Sequence, residues 1–91
     1  MERKVIMDKH TVMTVLLDKR TDAAPEVQEI LTDFGSIISS RIGLHQAGNS
    51  NEDGLIILHL NGRHEEINKL QQKLEQIHRV KVKKMQVSFD E

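Results

Sequence analysis

Apolar positions along this chain keep two periods that replace one another in turn. From Thr11 to Asp18 they alternate, with Met13, Val15 and Leu17 in one phase and Val12 and Leu16 in the other. Helical spacing takes over at Val27, Ile30, Leu31 and Phe34, which fall at i, i+3, i+4 and i+7 on one helix face. Ile37–His45 and Leu55–Leu60 are strand-like again. A second helical stripe, Ile67, Leu70, Leu74 and Ile77, precedes a last strand-like stretch at Val80–Phe89. The order predicts β-α-β-β-α-β.

Local signals sharpen the boundaries. Pro25 suits the first turn of a helix, where its missing N–H costs little, with Asp22 or Ala24 as the cap. Gly35 stands where a left-handed C-terminal cap is expected. The second strand, roughly Ser36 to Gln46, places Ile38, Ile42 and Leu44 on one face with Ser40. Ser39, Arg41, Gly43 and His45 share the other face with Ile37. Gly48, Asn49, Ser50 and Asn51 make 47–53 a hairpin connection. The third strand, Gly54–Leu60, is apolar on both faces, Leu55 and Ile57 against Ile56, Leu58 and Leu60. The second helix spans about Arg63 to His78, with Glu65 and Glu66 in the first turn, where the dipole favours them. In the fourth strand Val80 and Val82 are out of phase with Met85, Val87 and Phe89. Either a bulge at Lys83-Lys84 restores one face, or the strand is buried inward at one end and in an interface at the other.

The fold class that follows is α+β: a ferredoxin-like βαββαβ sandwich, a four-stranded antiparallel sheet with two helices on one face. Residues 1–9 read as a flexible arm and 10–91 as a single domain. Two helices cover one side of such a sheet, yet the first and third strands carry apolar residues on both. Val12, Leu16, Leu55 and Ile57 would form a contiguous exposed patch, the mark of an interface. The expected assembly is a homo-oligomer, a dimer or higher.

Composition narrows the function. The chain has 91 residues, a net charge of −1 and no cysteine. That removes thiolate chemistry and disulfides, and suggests a cytoplasmic protein. No apolar run reaches membrane length, and Met1–His10 is too polar for a signal peptide. Aromatic residues are 2% of the chain, Phe34 and Phe89. Without aromatic platforms on the central strands, base stacking is not expected, and neither is direct nucleic-acid binding. The basic run Arg79, Lys81, Lys83 and Lys84 reads as an edge strand guarded by lysines. No Ser-His-acid arrangement, glycine-rich phosphate loop or paired strand-end carboxylates can be placed, so no enzymatic activity is expected.

The stretch Phe34-Gly35-Ser36-Ile37-Ile38-Ser39-Ser40-Arg41-Ile42-Gly43-Leu44 resembles the iron-only hydrogenase system regulators. So does Ile67-Asn68-Lys69-Leu70…Lys73-Leu74 paired with Val80-Lys81-Val82-Lys83. The resemblance covers about Thr11 to Phe89. It implies an ACT-like domain, related in fold to the C-terminal domain of the nickel-responsive regulator. It also implies a regulatory or ligand-sensing role, in transcription or in a hydrogenase system. The family's pattern has Gly and Met around the arginine, where this chain has Ser40 and Ile42. It has Pro where this chain has His45. Near the end of the second helix it has Gly-x-Leu-Gly and Pro-Gly, where this chain has Gln72-Lys73-Leu74-Glu75 and His78-Arg79.

Candidate sites follow from both readings. ACT domains hold amino acids at a glycine-bearing loop; the matching Asp18–Ala24 loop has no glycine, which hinders close backbone approach. Arg41, a bidentate partner for a carboxylate, with Gly43 and His45, is the candidate for a small-molecule effector. His45 and His59 are expected as hairpin neighbours on the face of Arg41 and Ile57. The nickel-responsive regulators carry metal-binding histidines on similar strands, but two imidazoles are half a tetrahedral site. No cofactor is expected. The alternatives are an interaction dimer without small ligand and a metal-responsive module.

Overall fold

The computed structural model describes residues 9–44 and 52–89. Its elements are β1 (His10–Asp18), α1 (Ala23–Asp33), β2 (Ile38–Leu44), β3 (Asp53–Leu60), α2 (His64–Glu75) and β4 (Val80–Val87). The strands form one antiparallel sheet in the order β2-β3-β1-β4. This is the βαββαβ arrangement the periodicities anticipate, with β1 and β3 central and β2 and β4 at the edges.

One phase of each central strand meets the helices. Met13 and Val15 of β1, and Leu58 and Leu60 of β3, are buried against Val27 and Leu31 of α1 and Leu70 and Leu74 of α2. Each such side chain contributes about 1.5–3 kcal/mol by leaving water.

The helix ends follow local chemistry. Asp22 is the N-cap of α1 but makes no side-chain cap bond. The Ala23 N–H donates instead to Thr21 Oγ1 at 3.1 Å. At the other end Gly35 is not in the left-handed region. The chain runs on into a 3₁₀ turn over Gly35–Ile37, closed by the Ile37 N–H donating to the Phe34 carbonyl at 3.1 Å. A right-handed continuation has no use for a left-handed cap. Helix α2 begins as the Arg63 N–H donates to Glu66 Oε1 at 3.0 Å. It ends at Glu75, short of the expected His78, because Ile77 turns back with its N–H on the Leu74 carbonyl.

One strand expectation changes, and one open choice is decided. In β2 the ladder slips between Ile38, opposite Leu60, and Ser40, opposite His59. The extra residue, Ser39, is a bulge. Ile38 therefore packs towards the helices, while Ile42 and Leu44 lie opposite Ile57 and Leu55 on the bare side. Ile38 does not share their face. In β4 there is no bulge: pairing with β1 runs unbroken from Leu17–Val80 to His10–Val87. Val80 and Val82 are buried under the helices, and Met85 and Val87 turn outward on the other side.

Asp18 ties the β1–α1 connection to the α2–β4 connection. Its carboxylate accepts from Arg20 Nε and Nη2, both at 2.9 Å, from the Arg20 N–H at 3.0 Å and from Arg79 Nε at 3.1 Å. The Arg20 guanidinium above all, with its backbone N–H, holds this carboxyl well below the usual carboxylate range. Arg79 has a φ of 65°, a region costly for a side chain with Cβ. Here it lets one residue contact Asp18 twice, since the Asp18 N–H also donates to the Arg79 carbonyl at 3.2 Å.

Candidate functional site

The side of the sheet away from the helices is the largest feature left unexplained by folding. The register places His10, Val12, Thr14 and Leu16 of β1 on it, with Leu55, Ile57 and His59 of β3. The bulge adds Ser40, Ile42 and Leu44 of β2, and the unbroken β4 ladder adds Lys81, Lys83, Met85 and Val87. Ile42 is 56% exposed and Met85 60%. Val12, Thr14, Lys83 and Met85 border a hollow of about 160 Å³ within it.

Val12, Leu16, Leu55 and Ile57 thus share one face, as their alternation suggests. Ile42, Leu44, Met85 and Val87 extend it. A bulge in β2, which has no local sequence signal, and the unbroken β4 ladder, one of the two readings its phases allow, bring them there.

One end of this face is polar. His10 Nδ1 lies 3.1 Å from His59 Nε2. On the far side of the His59 ring, Ser39 Oγ lies 3.0 Å from Nδ1 and also donates to the His59 carbonyl oxygen at 3.2 Å. Ser39 reaches the ring because it is the bulged residue. His10 escapes a search for adjacent histidines, although its phase in β1, shared with Val12, points to this face.

The other candidates are scattered. His45 lies outside the described residues. Arg41 stands opposite Leu58, on the helix side of the sheet, and donates to Gln28 Oε1 of α1. It does not share a face with Ile57 and His59; the bulge shifts its phase. Gly43 lies opposite Ile56, and a Cβ there would meet nothing within 4 Å. The basic run is also split. Arg79 binds Asp18, Lys81 and Lys83 face the bare side, and Lys84 donates to Gln71 Oε1 of α2.

The Asp18–Ala24 connection uses its polar groups internally. Besides the Asp18 bonds, Thr21 Oγ1 donates to the Asp18 carbonyl at 2.7 Å. Arg20 also pairs with Glu52 at 3.2 Å. Among the described residues, no three His, Cys, Asp or Glu side chains gather as a metal site. No helix among them is long and apolar enough to cross a membrane.

Comparisons with known proteins agree with this architecture. No curated protein is detectably similar. An uncharacterized protein from Thermotoga maritima, TM1266, has a solved structure that superposes with a TM-score of 0.79 at 30% identity, covering 88% of this chain and 99% of that one. The ACT domain from the GTP pyrophosphokinase of Chlorobium tepidum superposes with a TM-score of 0.67 at 12% identity, over 84% of this chain and 96% of that one. CPII, a nitrogen regulatory PII-like protein from Thiomonas intermedia K12 bound to ADP, AMP and bicarbonate, gives 0.59 at 13% identity, over 88% and 96%. The last two share the fold alone. The sequence model of the TM1266-like proteins matches residues 9–84. The chain therefore belongs to the TM1266-like family, described as iron-only hydrogenase system regulators.

Proposed function

We propose that the protein is a non-enzymatic regulatory module of the cytoplasm that works as a homo-oligomer. The observation that carries this reading is the bare face of the sheet. Val12, Leu16, Ile42, Leu44, Leu55, Ile57, Met85 and Val87 form one apolar surface across all four strands. A second copy is the partner of matching chemistry, since an apolar sheet face is complementary to itself. Full burial of each such side chain is worth about 1.5–3 kcal/mol, and the exposed starting state leaves much of that to be gained. Family membership supports the regulatory role, exerted on a hydrogenase system or on transcription through a protein partner.

The effector in this reading is a small carboxylate. Arg41 is exposed at the β2 edge with a guanidinium suited to bidentate binding, and Gly43 beside it leaves open space. The occupied Asp18–Ala24 connection favours a second reading, an interaction dimer with no small ligand.

Sedimentation velocity at micromolar to high micromolar concentration tests the assembly. A dimer or larger species is expected, and a monomer throughout refutes it. A thermal-shift panel of amino acids and nucleotides tests the effector, because a ligand of the native state raises the melting temperature. A shift that disappears in Arg41→Ala supports sensing at this edge. A flat panel leaves the interaction dimer.

A further inference from the structure

The polar end of the bare face carries chemistry that an apolar interface does not need. Ser39 has one hydroxyl proton, and the His59 carbonyl oxygen 3.2 Å away can only accept it. With the proton there, the same oxygen accepts from His59 Nδ1, 3.0 Å away. That arrangement puts the proton of a neutral His59 on Nδ1 and the lone pair on Nε2. That lone pair points at His10 Nδ1, 3.1 Å away. The ring centroids are 5.3 Å apart and the planes differ by 20°. The centroid spacing is close to the N···N distance plus a ring radius on each side, so the rings meet end to end.

We propose that His10 and His59 form a two-nitrogen site for a divalent transition-metal ion, Zn²⁺ being the probe. Two imidazole nitrogens on one tetrahedral Zn²⁺, with bonds of about 2.0–2.1 Å, stand about 3.3–3.4 Å apart. The observed 3.1 Å is within a few tenths of an ångström of that, so small ring rotations open the site. The ion takes the lone pair of His59 Nε2 directly. The proton on His10 Nδ1 moves to that ring's Nε2, which frees the second nitrogen with no net proton change. Water fills the remaining positions. Ser39 is a positioning residue: by accepting from Nδ1–H it fixes the orientation of the ring, as partners of metal-bound histidines commonly do.

Imidazole donors select borderline ions such as Zn²⁺, Ni²⁺ and Cu²⁺ over Mg²⁺ and Ca²⁺, which require oxygen ligands. The site therefore binds Zn²⁺ and ignores Mg²⁺. It does not depend on the regulatory reading, because assembly is measured by sedimentation in chelator and metal binding by titration.

The experiment is calorimetric titration of the full, tag-free chain with Zn²⁺. Saturable binding that falls at least tenfold in His10→Ala and in His59→Gln, and is unchanged in His64→Ala and His78→Ala, supports the site. Ser39→Ala should weaken it about 10- to 100-fold, with Ser39→Thr restoring much of the loss. Long-range ¹H–¹⁵N NMR of the metal-free wild type reads the tautomer without any variant. His59 should be the Nδ1–H form, and that form should lose population in Ser39→Ala. Absence of Zn²⁺ binding, binding indifferent to His10 and His59, or an Nε2–H His59 would overturn the proposal.

Discussion

Single residues set this protein's response to acid and its tolerance of small changes. Asp18 is the clearest case, since its carboxylate accepts from two arginines and a backbone N–H. Its acidity is strengthened on folding, so its contribution is fully present above the unfolded-state value, about pH 4. That contribution is lost as pH falls through the lower, folded-state value. Asp18→Asn should therefore be less stable than wild type at neutral pH, with the gap closing in acid. Urea denaturation from neutral pH down to about pH 2 measures this; parallel curves for the two proteins would exclude it. Gly62 is constrained by space. A Cβ there would lie 2.7 Å from Ile37 Cγ2 and 2.9 Å from Ile37 Cβ. Gly62→Ala should cost about 1–3 kcal/mol, as overpacking generally does, read as a lowered urea midpoint with an unchanged slope. Arg79 stands where the family pattern has glycine, in a left-handed conformation that glycine adopts without strain. Arg79→Gly should keep the backbone turn while losing the Asp18 contact, leaving a stability close to wild type at pH 7 and a weaker dependence on acid. A loss of several kcal/mol would show that the ion pair outweighs the backbone strain, estimated at about 1–3 kcal/mol.

Among the elements, β2 determines how large the bare face becomes. With one extra residue at Ser39, the alternation restarts, so Ile38 packs inward while Ile42 and Leu44 face outward. Removing Ser39 leaves Ile38 and Ser40 adjacent, already opposite Leu60 and His59 on alternate faces. The deletion variant should therefore fold with the same register and assemble as wild type. Backbone NMR with unchanged β2–β3 cross-strand contacts would confirm it, whereas a β2 slipped by one residue would not. The helices were legible from their stripes because their buried faces recur at helical spacing over three turns. Of the two edge strands, β2 was not, and β4 was open between two readings. Residues there meet a neighbour on one side only, so their phase follows the ladder rather than their own hydrophobicity. For β4 the pattern offers a bulge or a strand buried inward at one end only, and the pairing takes the second; for β2 it offers a straight strand, and the pairing is bulged. Of the candidate site, His59 was visible as an outward residue of β3, but Arg41 was assigned to the wrong face because the bulge precedes it.

For the whole molecule, the consequence is a sheet with one side packed by helices and the other bare. A charge placed at the centre of that surface should disrupt assembly while sparing the core, since Ile57 lies on the bare face and outside the buried cluster under α1 and α2. Ile57→Glu should shift sedimentation towards monomer with an unchanged far-ultraviolet circular dichroism spectrum. An unchanged oligomer would show that copies meet elsewhere. The amino-acid sequence by itself determined the element order, the core phases of β1, β3 and both helices, and the presence of apolar residues on two sides of the central strands. Those properties are local, because periods of two and 3.6 are imposed by backbone geometry within each segment. Tertiary structure decided how far the bare face extends, which side Arg41 takes and that His10 meets His59 across two strands. Each of these depends on register between segments distant in sequence, which no single segment's periodicity contains.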